Sequence, residues 1–235
     1  MQKLLLCLLL LAASTQAGQE VRVAVATNFR ATLEQLNPAF ESRTSTKVIL
    51  SSGSTGGLYH QILSGAPYDV FLAADRSSVD RLVEKLSSQP ATSFCYARGK
   101  LALVGGDRSL RQLADPSMSV AIANPVTAPY GKAATEVLAL PQFAESSQRQ
   151  LVRGSNAMQA YQYWYTGNVE LALVPLSLAG SAGTLIPTDW YSAIEQHALL
   201  LPASQEKPAA QAYISWLNSP ETRAKITAAG YDPCP

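Results

Sequence analysis

Alternation of apolar and polar positions begins at Val21, where VRVAVA reads as a strand, and gives way at once to a helical spacing carried by Phe29, Leu33, Leu36 and Phe40. Pro38 falls inside that helix and is expected to interrupt and kink it. The same strand-then-helix rhythm recurs. TKVILSS is a strand, GSTGG a turn, and Leu58 with Ile62 mark a short helix ending near Gly65. YDVFLAA is a third strand, followed by Asp75 as N-cap and by Val79, Leu82 and Val83 on a helix.

After Cys95 the rhythm restarts with KLALVGG, then SVAIANP leading into a helix from about Pro129 through Val137. A helical stretch over 156–166 stops at Gly167 and precedes the strand VELALVP. The segments TLIP and ALLLP return the chain as extended structure, and two helices finish it, one over 210–217 and one opening on Ser219-Pro220-Glu221 and stopping at Gly230. Strands alternating with helices predict α/β architecture with mostly parallel sheets flanked by helices. With no linker between two such regions, the chain is expected to cross between them more than once.

The first residues change the picture of where the protein acts. MQKLLLCLLLLAASTQA places Lys3 before an apolar run and a small-residue stretch, the pattern of an export signal over 1–17 with cleavage after Ala17. The run is shorter than the roughly 18 apolar residues that span a bilayer. Removing the signal leaves 17 basic against 17 acidic residues, so no basic field exists for nucleic acid or an anionic membrane. Cys95 and Cys234 survive processing, and an oxidising compartment permits a disulfide between them, with two buried thiols as the alternative.

Catalytic chemistry finds little support. His60 and His197 have no Cys, His or carboxylate at ligand spacing, so no metal site is expected. GSTGG and GSAG lack the spacing of a hydrolase elbow. YGKAAT has no Gly five positions before Gly131 and has Ala133 where a phosphate-cradling loop needs Ser or Thr. Asp69 and Asp75 bracket one strand and read as turn and cap residues rather than paired acids. The protein is read as a non-enzyme without a cofactor.

What recurs is a strand that stops at small or polar donors and turns directly into a helix. Thr27-Asn28 does this, as do 52–56, 127–131 and Ser155-Asn156-Ala157. Each helix start leaves backbone N–H groups without acceptors at the positive end of a dipole, so each turn is either an ordinary cap or an anion seat. None of the four turns contains Asp or Glu, and the nearest cation is Lys132, one turn into its helix. In parallel α/β sheets such turns lie at the strands' carboxyl edge, where ligands bind.

The chain resembles the periplasmic molybdate-binding proteins of ATP-driven (ABC) transporters. The likeness is carried by VAVATNF, VILSSGSTGGLYHQI, GAPYDVFLAAD, IANPVTAPYGKAA, GSNAMQAYQYWYTGNVELALVPLS and LNSPETRAKITAAGY, in that order. It implies a two-lobed type II periplasmic binding protein fold, with lobe one over 18–96 and 197–235 and lobe two over 97–196. It further implies that a molybdate or tungstate ion is gripped by Thr27, Asn28, Ser54 and Thr55 from one side and by the backbone N–H groups of Tyr130 and Ala157, with Asn156, from the other. A membrane permease is the implied partner and a monomer the implied state. Some family members carry a Tyr donor where this chain has Pro175, which lacks both a side-chain donor and an N–H; Ser177 is the nearest replacement.

Three other functions compete with capture and delivery of this oxyanion. These are a binding protein for another anion such as sulfate, an exported enzyme using the interlobe cleft, and a sensory or scaffold protein without a transporter.

Overall fold

The computed structural model describes residues 19–86, 93–144 and 148–235. The predicted signal and its cleavage point lie outside these residues. In chain order the elements are β1 (Glu20–Ala26), α1 (Thr27–Thr44), β2 (Lys47–Gly53), α2 (Thr55–Leu63), β3 (Val70–Ala73), α3 (Arg76–Lys85), β4 (Ser93–Gly99) and β5 (Leu101–Gly105). There follow β6 (Val120–Ala123), α4 (Pro129–Leu138), α5 (Pro141–Ala144), β7 (Leu151–Gly154), α6 (Ala157–Tyr165), β8 (Leu171–Pro175) and α7 (Leu176–Ala179). The chain ends with β9 (Thr184–Leu185), β10 (Ile194–Leu200), α8 (Pro208–Leu217) and α9 (Pro220–Ala228), with single 3-10 turns between some of them.

These strands form two five-stranded sheets of one plan, β2-β1-β3-β10-β4 and β7-β6-β8-β5-β9. Each has a parallel trio, β2-β1-β3 or β7-β6-β8, followed by an antiparallel fourth strand. The sheets are therefore mixed, and the reason is the route of the chain. The parallel strands run toward the edge shared by the two lobes. β5 and β10 each enter their sheet at that edge after crossing from the other one, so they must run the opposite way. The crossings lie between Gly99 and Leu101 and between Leu185 and Ile194. The boundaries 96/97 and 196/197 implied by the resemblance fall inside β4 and β10, both strands of the first sheet.

Alternation places the core of lobe one on both faces of its sheet. Val21, Val23 and Val25 meet Phe29, Leu33 and Phe40 of α1 and Tyr213 and Leu217 of α8, while Ala24 and Phe71 meet Leu58 of α2 and Leu82 of α3 on the opposite face. Lobe two repeats this, with Leu103, Ile122 and Leu173 under α4 and Ala121, Ala172 and Val174 under α6. Ala26 and Ala74, at the strand ends of lobe one, are buried in the first of these lobe-two clusters, so the lobes share apolar contact where they meet. Burying such strands on both faces is the main driving force for each lobe.

Pro38 does not interrupt α1, which is continuous from Thr27 to Thr44. The proline is exposed, so the carbonyl that loses its N–H partner is on the water side, where helices tolerate the loss best. Asp75 caps α3 by accepting from the Ser78 N–H at 2.6 Å. Asp69, only 3% exposed, accepts from the Arg22 N–H at 2.8 Å, the Ser204 hydroxyl at 2.6 Å and the Lys207 ammonium at 2.7 Å. The two carboxylates are thus a cap and a loop anchor.

Burial alone would raise the pKa of Asp69, but the bonds from Lys207, Ser204 and Arg22 outweigh it and hold the carboxyl below the usual range. Because folding lowers this pKa, the stabilisation is complete above about pH 4 and is lost as the pH falls through the folded value. Asp69→Asn is expected to cost about 1–3 kcal/mol at pH 7. Denaturant unfolding of both proteins at pH 7 and pH 3 checks this, and a gap that fails to narrow at pH 3 contradicts it.

Candidate functional site

In each lobe two neighbouring parallel strands stop in register at the shared edge, Ala26 beside Gly53 and Ala123 beside Gly154. Four helices start just beyond these strand ends, and contacts link those starts into a ring. The Gly56 N–H of α2 donates across the cleft to the Thr127 carbonyl ahead of α4 at 2.9 Å. Ala123, Ala128 and Ala157 pack together, joining the starts of α4 and α6. Thr27, Arg30 and Ser52 from lobe one line a cavity with Met158 and Gln162 of α6. Gly131 lets α4 begin this close to β6, since a Cβ there would stand 2.2 Å from the Ala123 carbonyl oxygen. A second cavity of about 190 Å³ beside Gly56 and Thr127 is lined by two cations, Arg81 and Lys132, and by one carboxylate, Asp75.

The helix starts differ in what already occupies their donors. Ser54 caps α2 by accepting from the Gly57 N–H at 3.2 Å, and Asn156 caps α6 by accepting from the Gln159 N–H at 3.0 Å. α1 and α4 have no side-chain cap. The first-turn N–H groups of Asn28 and Tyr130 therefore have no acceptor within their helices, and these residues are each 2% exposed, whereas the Thr27 N–H continues the β1–β2 ladder at Gly53. Buried donors of that kind are costly unless an acceptor arrives. A compact anion supplies one.

The side chains singled out by the sequence are not all aimed alike. The Thr27 hydroxyl makes no hydrogen bond among the described residues. Thr55, 1% exposed, accepts from the Ala74 N–H at 3.0 Å and keeps its own hydroxyl hydrogen to donate. The Asn28 amide turns inward and donates to Gln196 Oε1 at 2.7 Å, so what Asn28 offers the cleft is its backbone N–H. Ser177 donates across the lobes to the Asn28 carbonyl at 3.0 Å and is thereby spent as an interlobe contact rather than a substitute donor. Pro175 is buried at the end of β8, paired with Leu101.

Gln196 was missed by the sequence reading. It is fully buried on β10 and also accepts from the Tyr96 hydroxyl at 3.0 Å. The signal for it was a polar residue at an inward position of an alternating strand, between buried Ile194 and Ala198. Burial pushes the hydroxyls of Tyr96 and Tyr130 well above the usual tyrosine range and that of Tyr231 up to about 12, so all three stay neutral. Of the histidines, His60 is exposed on α2, and His197 on β10 has its pKa pushed down by burial and by Arg76. Among the described residues no group of three or more His, Cys, Asp or Glu is placed to hold a metal ion.

Residues 21–232 match the family described as bacterial extracellular solute-binding protein. This chain belongs to that family. The molybdate-binding protein ModA of Azotobacter vinelandii is 41% identical over 94% of this chain and 93% of its own length. The ModA of Rhodobacter capsulatus is 37% identical over 92% of this chain and 89% of its own. The solved structure of the Azotobacter vinelandii periplasmic molybdate-binding protein superposes with a TM-score of 0.82 at 33% identity, covering 92% of this chain and 100% of that one. The two-lobed α/β fold is thus that of an extracellular solute-binding protein.

In this solute-binding protein a disulfide supports the cleft from behind. Cys95 on β4 is joined to Cys234, with 6.0 Å between their Cα atoms. The tail it anchors pairs Asp232 with Arg98 through backbone bonds of 2.8 and 2.9 Å, and Lys100 adds an ion pair to Asp232 at 2.8 Å. Tyr231, just before, donates to the Asn28 carbonyl at 2.7 Å. The bridge closes a loop of 139 residues, for which loop entropy gives about 4–5 kcal/mol. Replacing both cysteines by serine is expected to lower Tm by about 10 °C in a scanning-calorimetry comparison; an unchanged Tm would remove the bridge from the stability of the fold.

Proposed function

We propose that the protein captures molybdate or tungstate between its lobes and hands it to the membrane permease of an ABC transporter, acting as an exported monomer that performs no chemistry on its ligand. The observation that carries this reading is the ring of four helix starts, two per lobe, whose free donors are neutral and whose turns contain no carboxylate. The likeness to two ModA proteins over nearly the whole chain supports the choice of anion. Export follows from the pattern of 1–17, with cleavage after Ala17.

In this reading the ligand's oxygens accept from Thr27, Asn28, Ser54 and Thr55 on one side and from the N–H groups of Tyr130 and Ala157, with Asn156, on the other. Helix dipoles and neutral hydrogen bonds hold a dianion without a fixed counter-charge, which favours both capture and release. Arg81 and Lys132 beside the cleft, offset in part by Asp75, leave a net positive charge that favours approach of an anion. The bridge from Ser177 to Asn28 takes the role of holding the lobes rather than that of the missing donor at Pro175.

A donor cage set by backbone N–H groups measures size. Sulfate is smaller than molybdate or tungstate and cannot reach every donor at about 2.9 Å at once, and donors left unpaired in a closed cleft are costly. Phosphate near neutral pH keeps a proton for which a cage of donors has no acceptor. Calorimetric titration at one pH is expected to rank molybdate and tungstate far above sulfate, with phosphate hardly binding. Sulfate affinity within about threefold of molybdate, or clear phosphate binding, contradicts the reading.

Thr27→Ala removes a hydroxyl with no other partner and is expected to weaken molybdate binding about 10- to 150-fold, the range for a hydrogen bond to a charged group. Tm of the ligand-free variant is expected to match the parent. Unchanged affinity would take Thr27 out of the site.

A further inference from the structure

We propose that Gln196 is the positioning residue that couples the anion seats of the two lobes to the strands on which they hinge; this rests on the reading of the cleft as an oxyanion site. Gln196 lies two residues past Ile194, where the chain re-enters the first sheet, and it is fully buried. Its Oε1 accepts from Asn28 Nδ2 at 2.7 Å and from the Tyr96 hydroxyl at 3.0 Å, and its Nε2 donates to the Tyr130 hydroxyl at 3.4 Å. Asn28 is the second residue of α1 and Tyr130 the second residue of α4, the two of the four cleft helices whose starts have no side-chain cap. One side chain on a crossing strand thus touches the residues that present free N–H donors from both lobes.

Three further features show a built arrangement. The pairing of β10 with β4 slips by one residue between Gln196 and His197, leaving Tyr96 as the extra residue of a bulge. Bulges re-aim side chains, and here the extra residue is the one whose hydroxyl meets Gln196. Gly99, at the other crossing, has no room for a side chain: a Cβ there would stand 2.0 Å from the Tyr130 hydroxyl and 3.1 Å from Gln196 Nε2. The Asn28 carbonyl is itself held from both lobes, by Tyr231 at 2.7 Å and Ser177 at 3.0 Å.

Every member of this network is neutral, so the floor of an anion site carries no repelling charge. The bonds within lobe one, from Asn28, Tyr96 and Tyr231, do not depend on the other lobe. Those to Tyr130 and from Ser177 form only when the lobes are together. The network therefore favours one closed geometry, and breaking its centre leaves several buried partners unpaired at once. Gln196 touches no ligand position; its effect on affinity passes through Asn28 and Tyr130.

The test is a double-mutant cycle on molybdate affinity with Gln196→Met, Tyr130→Phe and the double variant, with ligand-free Tm measured alongside. Gln196→Met is expected to weaken binding about 10- to 100-fold, mainly through faster dissociation, and Tyr130→Phe about 3- to 10-fold. In the double variant the tyrosine change is expected to add less than about twofold, because its partner is already gone. A residue that only supports the fold would lower Tm without this coupling in affinity. Unchanged affinity in either single variant, or effects that simply multiply, overturns the proposal. If Gln196→Met does not fold, Tyr130→Phe decides alone: weaker binding at parental Tm supports the proposal and unchanged affinity overturns it. A parent protein that binds sulfate or phosphate but not molybdate refutes the ligand assignment, and the cycle is then read with that anion; a parent that binds none of the four anions refutes both.

Discussion

A helix cannot satisfy its own first N–H groups, and this protein is organised around that deficit. α1 and α4 begin without a side-chain cap, in surroundings that exclude water from Thr27, Asn28 and Tyr130. In α2, α3, α6 and α9 the same need is met locally: Ser54, Asp75, Asn156 and Ser219 each accept from an N–H three residues on. Two uncapped helix starts drawn from separate lobes and both tied to Gln196 leave N–H donors that an acceptor between the lobes would satisfy. Such an acceptor ties fold stability to ligand, since a species bound only by the closed form stabilises it in proportion to its concentration over Kd.

The route of the chain makes this juxtaposition possible. Parallel strands place all their helix starts at one edge, and two such edges meet only if the chain passes from sheet to sheet there. Both crossings do so, and their paired residues Gly99 and Ile194 sit side by side. The antiparallel strands β5 and β10 are the geometric consequence. They also put Gln196 beneath both seats, and they leave the C-terminal tail free to pair with Arg98, where the disulfide fixes it and Tyr231 reaches Asn28.

Much of this was readable from residue order, because the strongest signals were local. Val21, Val23 and Val25 against Phe29, Leu33 and Phe40 announce a strand followed by a helix whatever surrounds them, and Ser219-Pro220-Glu221 opens α9 as expected. The strands β4 and β7 were not readable. SFCYARG lacks alternation and is a strand because β10 and Asp232 pair with its two edges; LVRG has four residues and is a strand because β6 lies beside it. The turn at Thr27-Asn28 was legible as a donor-rich helix start, but the direction of the Asn28 amide was not. Position 28 lies on the same helical stripe as buried Thr32, Leu36 and Phe40, which favours an inward amide, yet its partner Gln196 is 168 residues away and set by a bulge.

The neutrality of the floor explains why the arrangement suits a carrier. A lysine or arginine beneath the seats would add attraction to an anion but would hold it in the open state as well as the closed one, and equal binding to both states shifts no equilibrium. Helix donors drawn from two lobes act differently: each lobe alone offers half a cage, and only closure completes it. Affinity then depends on closure, and whatever separates the lobes also discards the donors of one side. On the proposed reading, a network that holds the closed geometry through Asn28, Gln196 and Tyr130 raises affinity without adding charge, so release by separation of the lobes is preserved.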